Sequence, residues 1–209
     1  MRQMALRLVL GLVTAFGCGA IPGQDVNYEP TPMPVVRALL ELADVGPQDV
    51  VYDLGSGDGR IPITAATEFG ARGVGIEIDP ALVAQAQAKA RAAGVADRVE
   101  FRRGDMYAVD IRPATVVTLF LHPGPNLKLR ATLRSDLRPG SRVVSYVWDM
   151  GSWKPTDVRR VGEYPIFLWR IPLRTGLLTG PTGPPVAWSA DVVSDGGIAR
   201  AQRHWPRNT

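Results

Sequence analysis

The sequence predicts an α/β protein: a doubly wound, mostly parallel sheet of seven strands, with helices on both faces and a C-terminal β-hairpin. Three observations predict it. Between residues 49 and 148, short β-branched runs alternate with segments whose apolar residues recur at helical spacing, the pattern of right-handed βαβ units. A glycine turn, Gly55-Ser-Gly57-Asp-Gly59, follows the first run, where a Rossmann-like sheet places its first βα connection. Beyond Asp157 the helical spacing stops and only strand-like runs remain.

The elements follow in order. Gln24 to Pro34 is a polar, proline-rich loop, and Val35, Val36, Leu39, Leu40 and Ala43 set a helix over Pro34–Ala43 that ends before Gly46-Pro47. Val50 to Tyr52 forms a short buried strand, and Ile61 to Phe69 a helix with Pro62 in its first turn, where a missing N–H costs nothing. Gly73–Ile78 is the second strand, and Ala81–Ala93 an alanine-rich helix ended by Gly94. Arg98–Phe101 and Ala114–Leu121 are strands; Leu127–Leu137 is a helix stopped by Pro139-Gly140; Arg142–Trp148 is the fifth strand. Ile166–Ile171 and Val186–Val193, joined by a Gly/Pro-rich loop, are expected to make the terminal hairpin. The domain plan is a leader over 1–23, a loop and helix over 24–48, a core over 49–157, and C-terminal strands and tail over 158–209.

Length and composition agree with one ordered domain: 209 residues, 45% hydrophobic, with charges of both signs. Residues 1–97 carry 7 basic and 11 acidic side chains and residues 98–209 carry 17 and 9, but no run of consecutive basic residues marks a nucleic-acid patch. One cysteine, Cys18, rules out an internal disulfide and a cysteine-based metal site. Cys18 lies in an apolar stretch, Leu8 to Ala20, preceded by Arg2 and Arg7. That is the layout of a signal peptide and is short for a membrane span, which needs about 20 apolar residues. It predicts an exported or membrane-anchored protein of the cell envelope. Read instead as a mis-started N-terminus, with Met4 or Met33 as the start, it predicts a cytoplasmic protein. A monomer is expected.

The ligand of such a sheet sits outside the carboxyl ends of its strands, where strand order reverses. The dinucleotide fingerprint GxGxxG would require a third glycine at the position of Arg60. Asp53 and Asp58 flank the turn, and two carboxylates oppose a pyrophosphate. They favour a cationic ligand, a sulfonium with an α-amino group, for which Asp53 is a candidate acceptor. Glu77, eighteen residues after Gly59, can accept from both hydroxyls of a ribose, each such bond being worth roughly 1.5–3 kcal/mol. Asp105 follows the third strand and can accept from an adenine amino group, with Ile78 and Met106 on the ring faces. Acids at three successive strand ends thus point to S-adenosylmethionine.

At these residues the chain resembles the seven-β-strand, or class I, S-adenosylmethionine-dependent methyltransferases. More narrowly it resembles a subgroup whose animal members are the mitochondrial lysine methyltransferases of ATP synthase subunit c and the adenine nucleotide translocase. The resemblance covers Tyr28 to Pro155 and rests on Tyr28-Glu-Pro-Thr-Pro32, Asp53–Ile61, Gly75-Ile-Glu77, Val116-Val-Thr-Leu-Phe120 and Trp148–Pro155. It implies methyl transfer to a protein lysine, and a cofactor set in which Tyr28, Thr31, Gly55, Ser56, Gly57, Gly59 and Thr118 join the acids and apolar residues above. Instead of the Asn/Asp-Pro-Pro-Tyr that serves transfer to exocyclic base nitrogens, the fourth strand ends Thr118-Leu-Phe-Leu-His122-Pro123, so nucleic acid is not the expected acceptor.

A lysine must lose its proton before it can react, and an aromatic-lined channel lowers its pKa by desolvation. Tyr28, Phe120, Trp148 and Trp153 are the expected aromatics, with Asp149 receiving the proton through water. His122 could act as a base, but a single histidine beside a proline loop reads more readily as a structural residue. Two other readings stay open at this point: methylation of a small molecule or a quinone-like lipid, and an envelope binding module that keeps the fold without turnover.

Overall fold

The computed structural model describes residues 28–173. The apolar leader with Cys18, the loop before Tyr28, the expected strand Val186–Val193 and the tail lie outside the described residues. Within them the elements run α1 (Met33–Leu42), β1 (Val50–Leu54), α2 (Arg60–Phe69), β2 (Arg72–Glu77), α3 (Pro80–Ala92), β3 (Val99–Arg103), β4 (Val116–Leu119), α4 (Pro123–Asp136), β5 (Arg142–Tyr146), β6 (Asp157–Val161) and β7 (Tyr164–Arg170).

The seven strands form one sheet in the order β3-β2-β1-β4-β5-β7-β6. β1 pairs in parallel with both β2 and β4, so the order reverses there. β7 runs antiparallel to both β5 and β6. The doubly wound expectation holds, but the hairpin is a correction. Its first strand is Asp157–Val161, upstream of β7, and Gly162-Glu163 makes a two-residue turn with Gly162 at φ 61, the glycine-first arrangement of a II′ hairpin. Asp157-Val-Arg-Arg-Val161 lacks apolar alternation because it is an exposed edge strand.

Alternating residues feed two cores. Val51, Val116, Val144 and Ile166 pack with Val35, Val36, Leu39 and Leu40 of α1 on one face, while Tyr52, Leu54, Val117, Leu119 and Val143 pack with Leu129 and Leu133 of α4 on the other. α3 joins the first face through Val83, Ala86 and Ala90 against Phe101. A ten-residue helix such as α1 is marginal alone, and its five buried side chains hold it. α4 starts at Pro123, a turn before the expected Leu127, because the two prolines in Pro123-Gly-Pro125 occupy its first turn, where their missing N–H groups have no helical partner to lose. No described helix is long and apolar enough to cross a membrane.

Candidate active site

A cleft of about 840 Å³, open to solvent, lies at the carboxyl ends of β1, β2 and β4, the switch point at which such sheets bind ligands. The N-terminal segment Tyr28–Thr31 lines one side, and the glycine turn lines its floor. Gly57 has φ 52, and a Cβ there would stand 2.4 Å from Cε2 of Tyr28, so the Tyr28 ring lies directly on the Gly57 backbone. Gly59 is different: it starts α2, and a Cβ on it would meet Phe101 and Ala86, so it serves helix packing and does not line the cleft.

The turn is not a phosphate cradle. The N–H groups of Gly55 and Ser56 donate to Ile76 O, that of Gly57 to Glu77 Oε2 at 2.8 Å, and that of Gly59 to Ser56 O. Those amides, which an anion-binding nest would need, are committed within the fold. The carboxylates supply the rest of the argument, with one revision. Asp58 is 2% exposed and ion-paired to Arg60 (2.7 Å) and Lys89 (2.5 Å), partners that overcome its burial and hold its pKa well below the usual carboxylate range. Its charge is therefore compensated, and Asp58 organises the turn. Beneath the N-terminal segment, which adds Glu29, the acids of the cleft without a cationic partner are Asp53, Glu77 and Asp105.

Asp53 is 3% exposed and accepts from Thr118 Oγ1 at 2.7 Å. Burial, reinforced by Glu77 and Asp58, pushes its pKa up to about 7 against the opposing Thr118 bond. Such a carboxyl lacks a cation. Thr118 is fully buried beneath Asp53 and does not line the cleft, so it positions that acid and is not placed to touch a ligand. Glu77 is fixed by three backbone donors, Gly57 N on Oε2 and Ile78 N (2.8 Å) and Asp79 N (3.0 Å) on Oε1. Oε2 keeps a lone pair for a further donor. Asp105 is exposed at the cleft edge and accepts from Tyr107 N, and Ile78 and Met106 line the cleft beside it. The Ser56 hydroxyl is buried in the cleft lining with no partner among the described residues.

Three acids at successive strand ends, flanking apolar residues and an unsatisfied buried hydroxyl fit a nucleoside that carries a cationic amino-acid arm. The sequence did not single out Leu82, Ile61, Leu121 and Glu29, which also line the cleft. Nor did it foresee that Arg60 ties Asp58 to the carbonyl of Thr31 (2.8 Å), fastening the N-terminal segment over the turn.

The acceptor side is corrected more extensively. Phe120 and Tyr28 line the cleft, but Trp148, Asp149 and Trp153 do not. Trp153 packs on Trp169 with ring centroids 5.7 Å apart and accepts the Trp169 indole N–H at its carbonyl, so it belongs to the core under α4. Asp149 Oδ1 caps the turn at Gly151 N. Trp148 is 37% exposed beside His122, and its carbonyl accepts from Asn126 and Ser145.

The family model of the ANTKMT methyltransferase domain matches residues 53–157. A protein-lysine N-methyltransferase of Saccharolobus islandicus is 45% identical over 139 residues, 66% of this chain and 86% of that protein. The mouse adenine nucleotide translocase lysine N-methyltransferase is 37% identical over 70% of this chain, which spans 62% of its length. A crystal structure described as an RNA methyltransferase from Salinibacter ruber, in complex with S-adenosyl-L-homocysteine, is 57% identical, with a TM-score of 0.68 over 69% of this chain and 94% of that one. With the cleft, these matches identify the chain as a member of the ANTKMT methyltransferase domain family, class I enzymes that use S-adenosylmethionine.

Proposed function

We propose that the enzyme methylates a lysine side chain of a protein. The observation that carries this reading is the 45% identity to a protein-lysine N-methyltransferase, over 86% of that protein's length. The acceptor side of the cleft supports it, being walled by Tyr28, Phe120 and Leu121 rather than by the carboxamide or acid and prolines that grip an exocyclic base nitrogen.

In this reading Asp53 takes the cofactor's α-amino group, Glu77 the ribose hydroxyls and Asp105 the adenine amino group, while Ile78, Met106 and Leu82 hold the ring. The cofactor held there would supply an activated methyl group, and the acceptor amine the lone pair that takes it. The chain therefore has to orient the amine in line and keep water out. Phe120 and Tyr28 provide that apolar wall, in which an amine gives up its proton more readily than in water.

Mass spectrometry of a lysine-containing acceptor incubated with enzyme and S-adenosylmethionine tests the reading: mono-, di- or trimethyllysine is expected, and its absence while the cofactor binds normally would overturn it. The Salinibacter relative, described as an RNA methyltransferase, makes RNA the second reading, and labelled methyl transfer to RNA is the matching assay. Association with a membrane through residues 1–23 remains part of our reading, supported by the apolar run Leu8–Ala20. Fractionation of a C-terminally tagged chain tests it, with recovery in the membrane or envelope fraction expected.

A further inference from the structure

Where Trp148, Asp149 and Trp153 were expected, the structure puts a different set. Phe120, just past β4, packs against Tyr146 at the end of β5 with ring centroids 4.7 Å apart and planes tilted by 48°, and Tyr146 meets Tyr164 at the start of β7 edge-on at 6.0 Å. The antiparallel course of β7 makes this possible, since its first residues lie beside the last residue of β5, Tyr146 pairing with Ile166. The row leads outward from the cleft: Phe120 lines it, Tyr146, 6% exposed, closes the top of the core beneath α1, and Tyr164 is 51% exposed, both tyrosines lying outside the cleft lining itself. Glu29, on the segment that covers the cleft, brings a carboxylate to the same side. Burial first, then Tyr164 and Glu29, raise the pKa of the Tyr146 hydroxyl above its ordinary value, so the phenol stays neutral.

We propose that Tyr164, Tyr146 and Phe120 form the path by which the acceptor lysine reaches the cleft, and that the Glu29 carboxylate at its edge selects the cationic side chain. This rests on the lysine reading above. The chemistry suits a long aliphatic stem ending in an ammonium: ring faces attract the cation and cover the methylenes, and an exposed carboxylate steers it at long range. Beyond Tyr146 the side chain leaves water, and there its charged form is disfavoured.

The experiment measures steady-state methylation of poly-L-lysine by the full chain and by two variants at exposed positions, Glu29→Gln and Tyr164→Ala, together with S-adenosylmethionine affinity and melting temperature. Both variants are expected to keep their melting temperature and to bind cofactor within about twofold of the parent, while KM for the acceptor rises about tenfold, the equivalent of about 1.4 kcal/mol. The salt dependence of kcat/KM should flatten in Glu29→Gln alone. Failure of the parent to make methyllysine, while it binds cofactor, overturns the lysine reading and the path with it. Methylation by the parent with an unchanged KM in both variants overturns the path and leaves the lysine reading standing. Transfer to RNA that falls with Tyr164→Ala and is untouched by Glu29→Gln identifies a base-stacking surface and also overturns the path.

Discussion

Thr118 Oγ1 donates to Asp53 Oδ1 at 2.7 Å, opposing the burial that lifts the Asp53 carboxyl to a pKa of about 7. Binding an ammonium beside Asp53 requires the ionised form. S-adenosylmethionine affinity is therefore expected to rise by up to tenfold per pH unit as pH climbs toward 7 and then level off. It should decline again when the ligand's own α-amino group loses its proton near pH 8. Titration calorimetry across pH 5–8.5 checks this, and a flat profile below 7 would falsify the assignment of Asp53 to the amino group.

The same carboxyl makes a prediction about the cofactor-free protein, with the sign fixed by linkage. Its folded pKa lies above the unfolded value, so it binds its proton more tightly in the native state. The resulting stability is full below about pH 4 and is lost as pH rises to about 7, a change on the order of 4 kcal/mol at 1.36 kcal/mol per unit. Asp58, whose pKa is depressed, is ionised in both states from about pH 5 upward and does not offset the loss there. Denaturant unfolding should show cofactor-free stability falling from pH 5 to 7. Thr118→Val, which removes the opposing bond, should push the affinity rise to higher pH and weaken cofactor binding at pH 7 by several-fold.

Glu77 holds Gly57, Ile78 and Asp79 by their N–H groups. Glu77→Ala is therefore expected to act twice. Loss of the ribose hydrogen bonds, at roughly 1.5–3 kcal/mol each, should weaken cofactor binding by at least about tenfold. The orphaned amides should also lower the melting temperature of the cofactor-free protein. Calorimetry and thermal melts separate the two effects, and an unchanged melting temperature would show that the three backbone bonds contribute little.

Asp149→Asn is expected to leave kcat/KM within about twofold, as for a surface change of about 0.5 kcal/mol or less, because its carboxylate caps Gly151 outside the cleft. A loss of tenfold or more in steady-state turnover would return Asp149 to the chemistry.

The contrast between Asp53 and Asp149 shows what a linear reading can reach. Strand periodicity marks strand ends, so acids at or just past the carboxyl end of a strand, Asp53, Glu77 and Asp105, are legible. The chemistry of Asp58 depends on Lys89, 31 residues away on α3, and the acceptor row depends on β7 turning back beside β5. Trp153 reads as a channel aromatic only while Trp169, which it packs against, is out of view. Helix start and edge strand were lost for local reasons: Pro123-Gly-Pro125 imitates a loop, and β6 exposes both faces.

Gly57 and Tyr28 give the sharpest test of how the N-terminal segment closes the cleft. A Cβ on Gly57 would fall 2.4 Å from the Tyr28 ring, and the residue sits at φ 52, which costs a side-chain-bearing residue about 1–2 kcal/mol. Tyr28 is 43% exposed, so the ring can swing out to relieve the clash, and Gly57→Ala should fold with a modestly lower melting temperature. What it should lose is the cover over the turn, and with it cofactor affinity. Tyr28→Ala should lose the same cover directly. If both act through this one contact, the double variant binds S-adenosylmethionine no worse than the weaker single variant. Strictly additive losses in a double-mutant cycle would mean that Tyr28 and Gly57 affect the cofactor independently.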